Sequence, residues 1–170
     1  MRFYDDLVKG RVVMINFMFT SCRRACPGTT ANLKKVQRAL GNHVGRDLVM
    51  LSISLDPERD TPPVLKEYAR LYGLRPGWYL LSGRRGDIEA LRHKLGVYDL
   101  DPVIDADRTR HAGLVVLGNE PMGRWSAVSG LAKPRQIVEA VERVMLPPRD
   151  WNPASWSGGR EPAEPQCAGR

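Results

Sequence analysis

The sequence predicts an α/β protein of three layers, a mixed central sheet with flanking helices, and three observations predict it. Two nearly continuous apolar runs, residues 12–19 (VVMINFMF) and 48–54 (LVMLSIS), are rich in β-branched and aromatic residues. That is the composition of strands buried on both faces. Segments of helical spacing alternate with the early strands, as parallel crossovers require. Late in the chain two strand-like runs flank a short glycine-bounded turn, which reads as an antiparallel hairpin ahead of a last helix.

Each element follows from its neighbours. Thr20 and Ser21 end the first strand, and from Cys26 to Leu40 the apolar positions Ala31, Leu33, Val36, Ala39 and Leu40 fall at helical spacing until Gly41 stops them. After the second strand a loop, DPERDTPP, covers residues 56–63. Thr61 is its expected helix N-cap and Pro62 the first helical residue. That helix carries Val64, Leu65, Tyr68, Ala69 and Leu71 on its apolar side and ends at Gly73. Residues 78–81 form a short strand and 87–95 a third helix stopped by Gly96. Residues 98–110 are acidic and read as an irregular surface loop. Residues 113–117 (GLVVL) form a strand, 118–123 a turn and 124–127 its hairpin partner. Pro134 opens the final helix, with Ile137, Val138, Val141, Val144 and Met145 at helical spacing. A thioredoxin-like fold fits this order, and a flavodoxin-like arrangement stays open on order alone.

One domain is expected over residues 1–146. From Pro147 the chain is full of Pro, Gly, Ser and Trp without periodicity, so 147–170 reads as a disordered or loosely draped tail. The 170 residues carry 26 Lys plus Arg against 19 Asp plus Glu, a formal charge of +7. The tail holds three of each sign, so the excess belongs to the domain. The basic residues are scattered, and aromatics make up only 7% and fall mostly inside apolar runs. A nucleic-acid face shows a basic stripe or a known module, and neither is present. No apolar run approaches the ~20 residues of a membrane helix, and three cysteines are too few for a disulfide scaffold.

Where two of those cysteines lie carries the chemistry. Cys22 and Cys26 fall where the first buried strand hands over to the first helix, the end of an α/β sheet at which function gathers. Unpaired N–H groups and the positive end of the helix dipole favour thiolate there. Were both residues helical, their Cα atoms would lie about 6 Å apart, toward the long end of the disulfide range. Two thiolates each ~2.3 Å from a shared metal need sulfurs only about 4 Å apart, so the spacing permits a disulfide or a two-sulfur metal clamp. A soft ion held by two sulfurs wants a further ligand, and imidazole suits copper. Of the three histidines, His43 and His93 read as surface residues. His111 immediately precedes a buried strand in a loop able to face the cysteine turn. A peroxiredoxin-type site is excluded, because Phe19 occupies the position where such a site needs Thr or Ser. Cys167, in the tail, reads as an incidental thiol.

INFMFTSCRRACP, residues 15–27, followed by LDPERDTPPVLKEYA, residues 55–69, resembles the Sco/SenC family of thioredoxin-like copper proteins that assemble cytochrome c oxidase. The resemblance continues through WYLLSG, residues 78–83, and the histidine before the late strand, covering residues 3–145. It implies that Cys22, Cys26 and His111 bind one copper ion, and that the cysteines cycle between dithiol and disulfide. It further implies a copper-chaperone role at the dinuclear copper centre of an oxidase, with the copper-bearing oxidase subunit as partner. The implied location is extracytoplasmic, on an N-terminal membrane anchor, although residues 1–4 lead straight into the domain with no targeting segment. The residues alone leave two alternatives: a thiol–disulfide reductase acting through Cys22 and Cys26 without metal, or a redox or copper sensor. The motif loop 56–62 is expected to have a structural, helix-capping role and no catalytic one.

Two departures from the family pattern stand out. Arg23 and Arg24 occupy positions where the family commonly has Pro-Asp, and Arg110 precedes His111 where the family usually has Asp. A fixed cation opposes a second cation but favours a thiolate and the net negative charge of a bis-thiolate Cu(I) complex. These effects oppose one another in copper affinity, whereas lowered cysteine pKa values are expected outright.

Overall fold

The computed structural model describes residues 2–23, 25–107 and 113–146. Five strands form one sheet: β1 (Val12–Met18), β2 (Leu48–Ser54), β3 (Trp78–Leu81), β4 (Leu114–Asn119) and β5 (Arg124–Ser129). Their spatial order is β3-β2-β1-β4-β5. β1 runs parallel to β2 and β2 to β3, while β4 is antiparallel to both β1 and β5. The helices are α1 (Ala25–Leu40), α2 (Pro62–Tyr72), α3 (Arg85–Lys94), α4 (Pro102–Ala106) and α5 (Pro134–Met145). This is the expected mixed sheet with helices on both faces.

Alternation along the strands separates two cores, because successive side chains of a strand point to opposite faces. Val13, Ile15 and Phe17 of β1 join Val49, Leu51 and Ile53 of β2 on one face, against Ile88 of α3 and Leu7 and Val8 of an N-terminal helical turn, Phe3–Val8. Met14, Leu48, Met50, Val115 and Leu117 face the other way, against Leu33 and Val36 of α1 and Ile137, Val141 and Val144 of α5. β1 is central and buried nearly throughout, so its carboxyl end is a rigid platform.

Helix ends follow local chemistry. Pro62 opens α2, and Gly73 closes it in the left-handed region at φ 57°, its N–H donating to the Ala69 and Arg70 carbonyls. Thr61 occupies the N-cap position as expected, yet its side chain caps nothing. The acidic segment expected to be irregular instead contains α4, whose N-cap Asp101 accepts from the Val103 N–H. The hairpin partner β5 runs two residues beyond expectation, to Ser129, because every residue of β4 finds a partner on it. The proposed tail, 147–170, lies outside the described residues.

Candidate metal centre

The chain leaves β1 at Met18 and reverses in a turn in which the Cys22 N–H donates to the Phe19 carbonyl (3.2 Å). Cys22 is therefore not helical; it is buried in the turn that precedes α1. Cys26 lies in the first turn of α1, partly exposed, and Pro27 follows where a missing N–H costs no helical hydrogen bond. Neither thiol is in a disulfide, and the two meet: Cys26 is hydrogen-bonded to Cys22.

Burial, then that contact with Cys22, pushes the Cys26 thiol up to about 12, against the opposing pull of main-chain hydrogen bonds from Phe19 and Cys26. The expectation that flanking arginines depress both thiols is thus overturned at Cys26. Arg23 is exposed, and desolvation of a buried sulfur outweighs a cation in water.

The turn is anchored from β2 and the motif loop. Asp60 is fully buried, and its carboxylate accepts from the Thr20 N–H (3.0 Å), the Thr20 hydroxyl (2.5 Å) and the Ser54 hydroxyl (2.5 Å). Ser54 in turn accepts from the Asp56 N–H (3.0 Å), and the Asp60 N–H donates back to the Asp56 carbonyl (2.8 Å). The motif loop therefore holds the cysteine turn, a role different from the helix cap expected of it. The one sequence signal was an acid flanked by polar residues between a buried strand and a Pro-initiated helix.

On the α2 side Tyr68 is buried, and its hydroxyl pairs with that of Thr30 (2.8 Å), one turn beyond Cys26 on α1. Burial raises the Tyr68 phenol above its ordinary range, and the neighbouring Cys26 adds to the shift. Tyr72 packs against Tyr68 in a tilted arrangement, ring centroids 4.5 Å apart. Tyr68 thus lies on the α2 side of the half-buried Cys26 thiol.

The opposite wall comes from the start of β4. The Gly130 N–H donates to the Gly113 carbonyl (2.5 Å), and a Cβ on Gly113 would lie 3.4 Å from Thr29 Oγ1. That hydroxyl is buried and has no hydrogen-bond partner among the described residues. Upstream, residues 97–107 are pinned by Arg92 of α3, which is 2% exposed. Its guanidinium donates to both Asp105 oxygens (2.5 and 2.6 Å), to Glu89 and to the Val97 carbonyl.

Of the expected ligands, the structure brings Cys22 and Cys26 together. His111 lies outside the described residues, as do Arg24, Arg108, Arg110 and Cys167. Among the described residues no group of three His, Cys, Asp or Glu side chains is arranged to hold a metal. His43 is exposed and paired with Asp47, and His93 is exposed and stacked on Tyr98, so both are surface residues as read from the sequence.

Comparison with known proteins adds to this geometry. The SCO1/SenC family model matches residues 2–146. An SCO2-like protein of Rickettsia felis is 34% identical over 147 residues, covering 82% of this chain and 69% of the relative. The structure of Bradyrhizobium japonicum ScoI with copper bound is 30% identical, with TM-score 0.63 over 80% of this chain and 86% of that one. The structure of BsSco, a Sco-family cytochrome c oxidase assembly protein described as having a disulfide switch, is 27% identical, with TM-score 0.65 over 81% of each chain.

Proposed function

The chain belongs to the SCO1/SenC family, and on that footing we propose that it binds one copper ion through Cys22, Cys26 and His111. Its task is to load the dinuclear copper centre of a cytochrome c oxidase, with the copper-bearing oxidase subunit as client. Copper is cargo here, taken up and passed on. The observation that carries the reading is the meeting of two reduced cysteines at the carboxyl end of the central strand, a two-sulfur clamp suited to a soft ion. Support for the third ligand is indirect. His111 is two residues upstream of Gly113, about 7 Å of chain at full extension, and Gly113 packs against Thr29, three residues beyond Cys26 in α1.

The protonation of Cys26 supports a clamp that can release its cargo. A Cys26 sulfur that binds its proton tightly gives a metal a competitor, so copper must displace that proton to bind and the proton can return when copper leaves. The half-buried position lets a client's sulfur approach Cys26 while Cys22 stays covered. The location that goes with this role is extracytoplasmic, on a membrane anchor; among the described residues no helix is long and apolar enough to cross a membrane.

Copper titration of the reduced protein tests the proposal. Wild type should bind one equivalent, and Cys22→Ser, Cys26→Ser and His111→Ala should each weaken binding by at least tenfold. Unchanged affinity in all three variants rejects it. The mutual hydrogen bond of the thiols also favours a second reading, a thiol–disulfide reductase acting on client cysteines. In that case the pair reduces a client disulfide without copper, and equally well in His111→Ala.

A further inference from the structure

Asp60 is a buried carboxylate on which two loops converge, and among the described residues every donor reaching it is neutral. Burying a carboxylate without a cationic partner is costly unless its lone pairs are filled. Here three donors fill them, two of which come from Thr20. Thr20 is the second residue of the turn whose ends are Phe19 and Cys22. The Phe19 main chain contacts both cysteines, through the Cys22 N–H and through a hydrogen bond felt at the Cys26 sulfur. A displacement of Thr20 therefore moves the main-chain contact of Cys22 and the contact at the Cys26 sulfur. From the other side Asp60 is fixed by its own N–H to the Asp56 carbonyl and by Ser54 at the end of β2.

We propose that Asp60 is the positioning residue of the cysteine pair, transmitting the rigid end of β2 to the turn that sets the separation of the Cys22 and Cys26 sulfurs. It touches neither sulfur; it acts through Thr20. Ser54 at the end of β2 supports the carboxylate, and Thr20 receives it. The thiols are the pair whose spacing decides both disulfide closure and metal grip.

The redox arm of the test needs no metal and does not depend on the copper reading. In glutathione buffers the two thiols lose two protons and two electrons to oxidised glutathione, giving the Cys22–Cys26 disulfide and two reduced glutathione molecules. The equilibrium constant of that exchange reads the sulfur geometry directly. Asp60→Asn, which keeps size but replaces one acceptor oxygen by a donor, should shift the constant at least tenfold from wild type. Thr20→Val, which deletes the hydroxyl and keeps the N–H, should shift it in the same direction by less. Thr20→Ser, which restores the hydroxyl, should return it to within twofold.

The copper arm rests on the family reading. Asp60→Asn should move the sulfur-to-Cu(II) charge-transfer band and weaken Cu(I) binding at least tenfold. Should Asp60→Asn fail to fold, Thr20→Val and Ser54→Ala carry the same measurements. Folded variants with the wild-type exchange constant overturn the positioning role. Wild-type protein that binds no copper, with an exchange constant that still shifts in Asp60→Asn, overturns the copper reading alone.

Discussion

Two buried charged groups hold the two sides of the candidate centre, and they do so in opposite ways. The cysteine turn hangs on Asp60, a carboxylate satisfied by an amide and two hydroxyls. The segment leading toward His111 hangs on Arg92, a guanidinium satisfied by two carboxylates and a main-chain carbonyl. The first is fully buried, whereas the carboxylates of the second reach water, Glu89 at 42% side-chain exposure. Hydrogen bonds from neutral donors are indifferent to salt and hold fixed geometry. The Arg92–Glu89 pair opens to the surface, where salt screens it and it can yield. The cysteine turn is thus held by the stiff device and residues 97–107 by the softer one.

Breaking the stiff side should have the largest effect. Asp60→Ala leaves the buried Ser54 hydroxyl and the two half-buried Thr20 donors without their acceptor and should cost about 3–4 kcal/mol in urea unfolding. A cost under about 1 kcal/mol would place those donors in contact with water. Arg92→Met comes next, at about 3 kcal/mol, because Asp105 loses its counter-charge. Its mark should be faster amide exchange confined to residues 97–107, with the cysteine turn unaffected. Equal loss of protection at both places would erase the distinction between the two sides.

Acid sharpens the contrast. Arg92 holds the Asp105 carboxyl well below the usual carboxylate range, so the folded state binds that proton less readily than the unfolded chain. The contribution is complete above the unfolded value of about 4 and is lost as pH falls below it. Raising salt at neutral pH should loosen 97–107 before the cysteine turn, read by the same exchange experiment.

A smaller change probes where the two sides meet. A Cβ on Gly130 would lie 2.7 Å from Thr29 Cγ2 and 2.9 Å from the Gly113 carbonyl. Gly130→Ala should therefore cost about 1–2 kcal/mol by overpacking and push the start of β4 away from α1. The least disruptive test needs no mutation. With Cys26 near 12, its alkylation should stay slow at pH 8 and accelerate only as pH climbs toward that value. The raised value also gives stability that is complete below the unfolded thiol's ~8.5 and declines as pH rises from there toward 12. Fast labelling of Cys26 at pH 7 would show the sulfur to be open to solvent.

Much of this was legible in the chain. Strands β2 and β3 lie at the residues expected of them, and β2 was legible because a strand buried on both faces is nearly continuously apolar. The cysteine pair was legible because strand-to-helix junctions are marked by the end of an apolar run and the onset of helical spacing. Helix α4 was not, since its five residues have too few apolar positions to show a period, and it exists by virtue of Asp101 and the distant Arg92. The partnership of Asp60 with Thr20 was equally hidden, as forty positions separate them and no local pattern records a contact at that range.

The sequence by itself determined the order of the strands and of the helices other than α4, the parallel-then-antiparallel sheet, and which thiols lie at its carboxyl edge, because these depend on local periodicity and on where apolar runs end. Only the tertiary structure decided that the motif loop anchors the cysteine turn, that the two thiols meet, and that Cys26 holds its proton so firmly. Those properties come from burial and from contacts between residues far apart in the chain. Desolvation of a sulfur is a property of everything packed around it, which is why neighbouring arginines in the sequence pointed the other way.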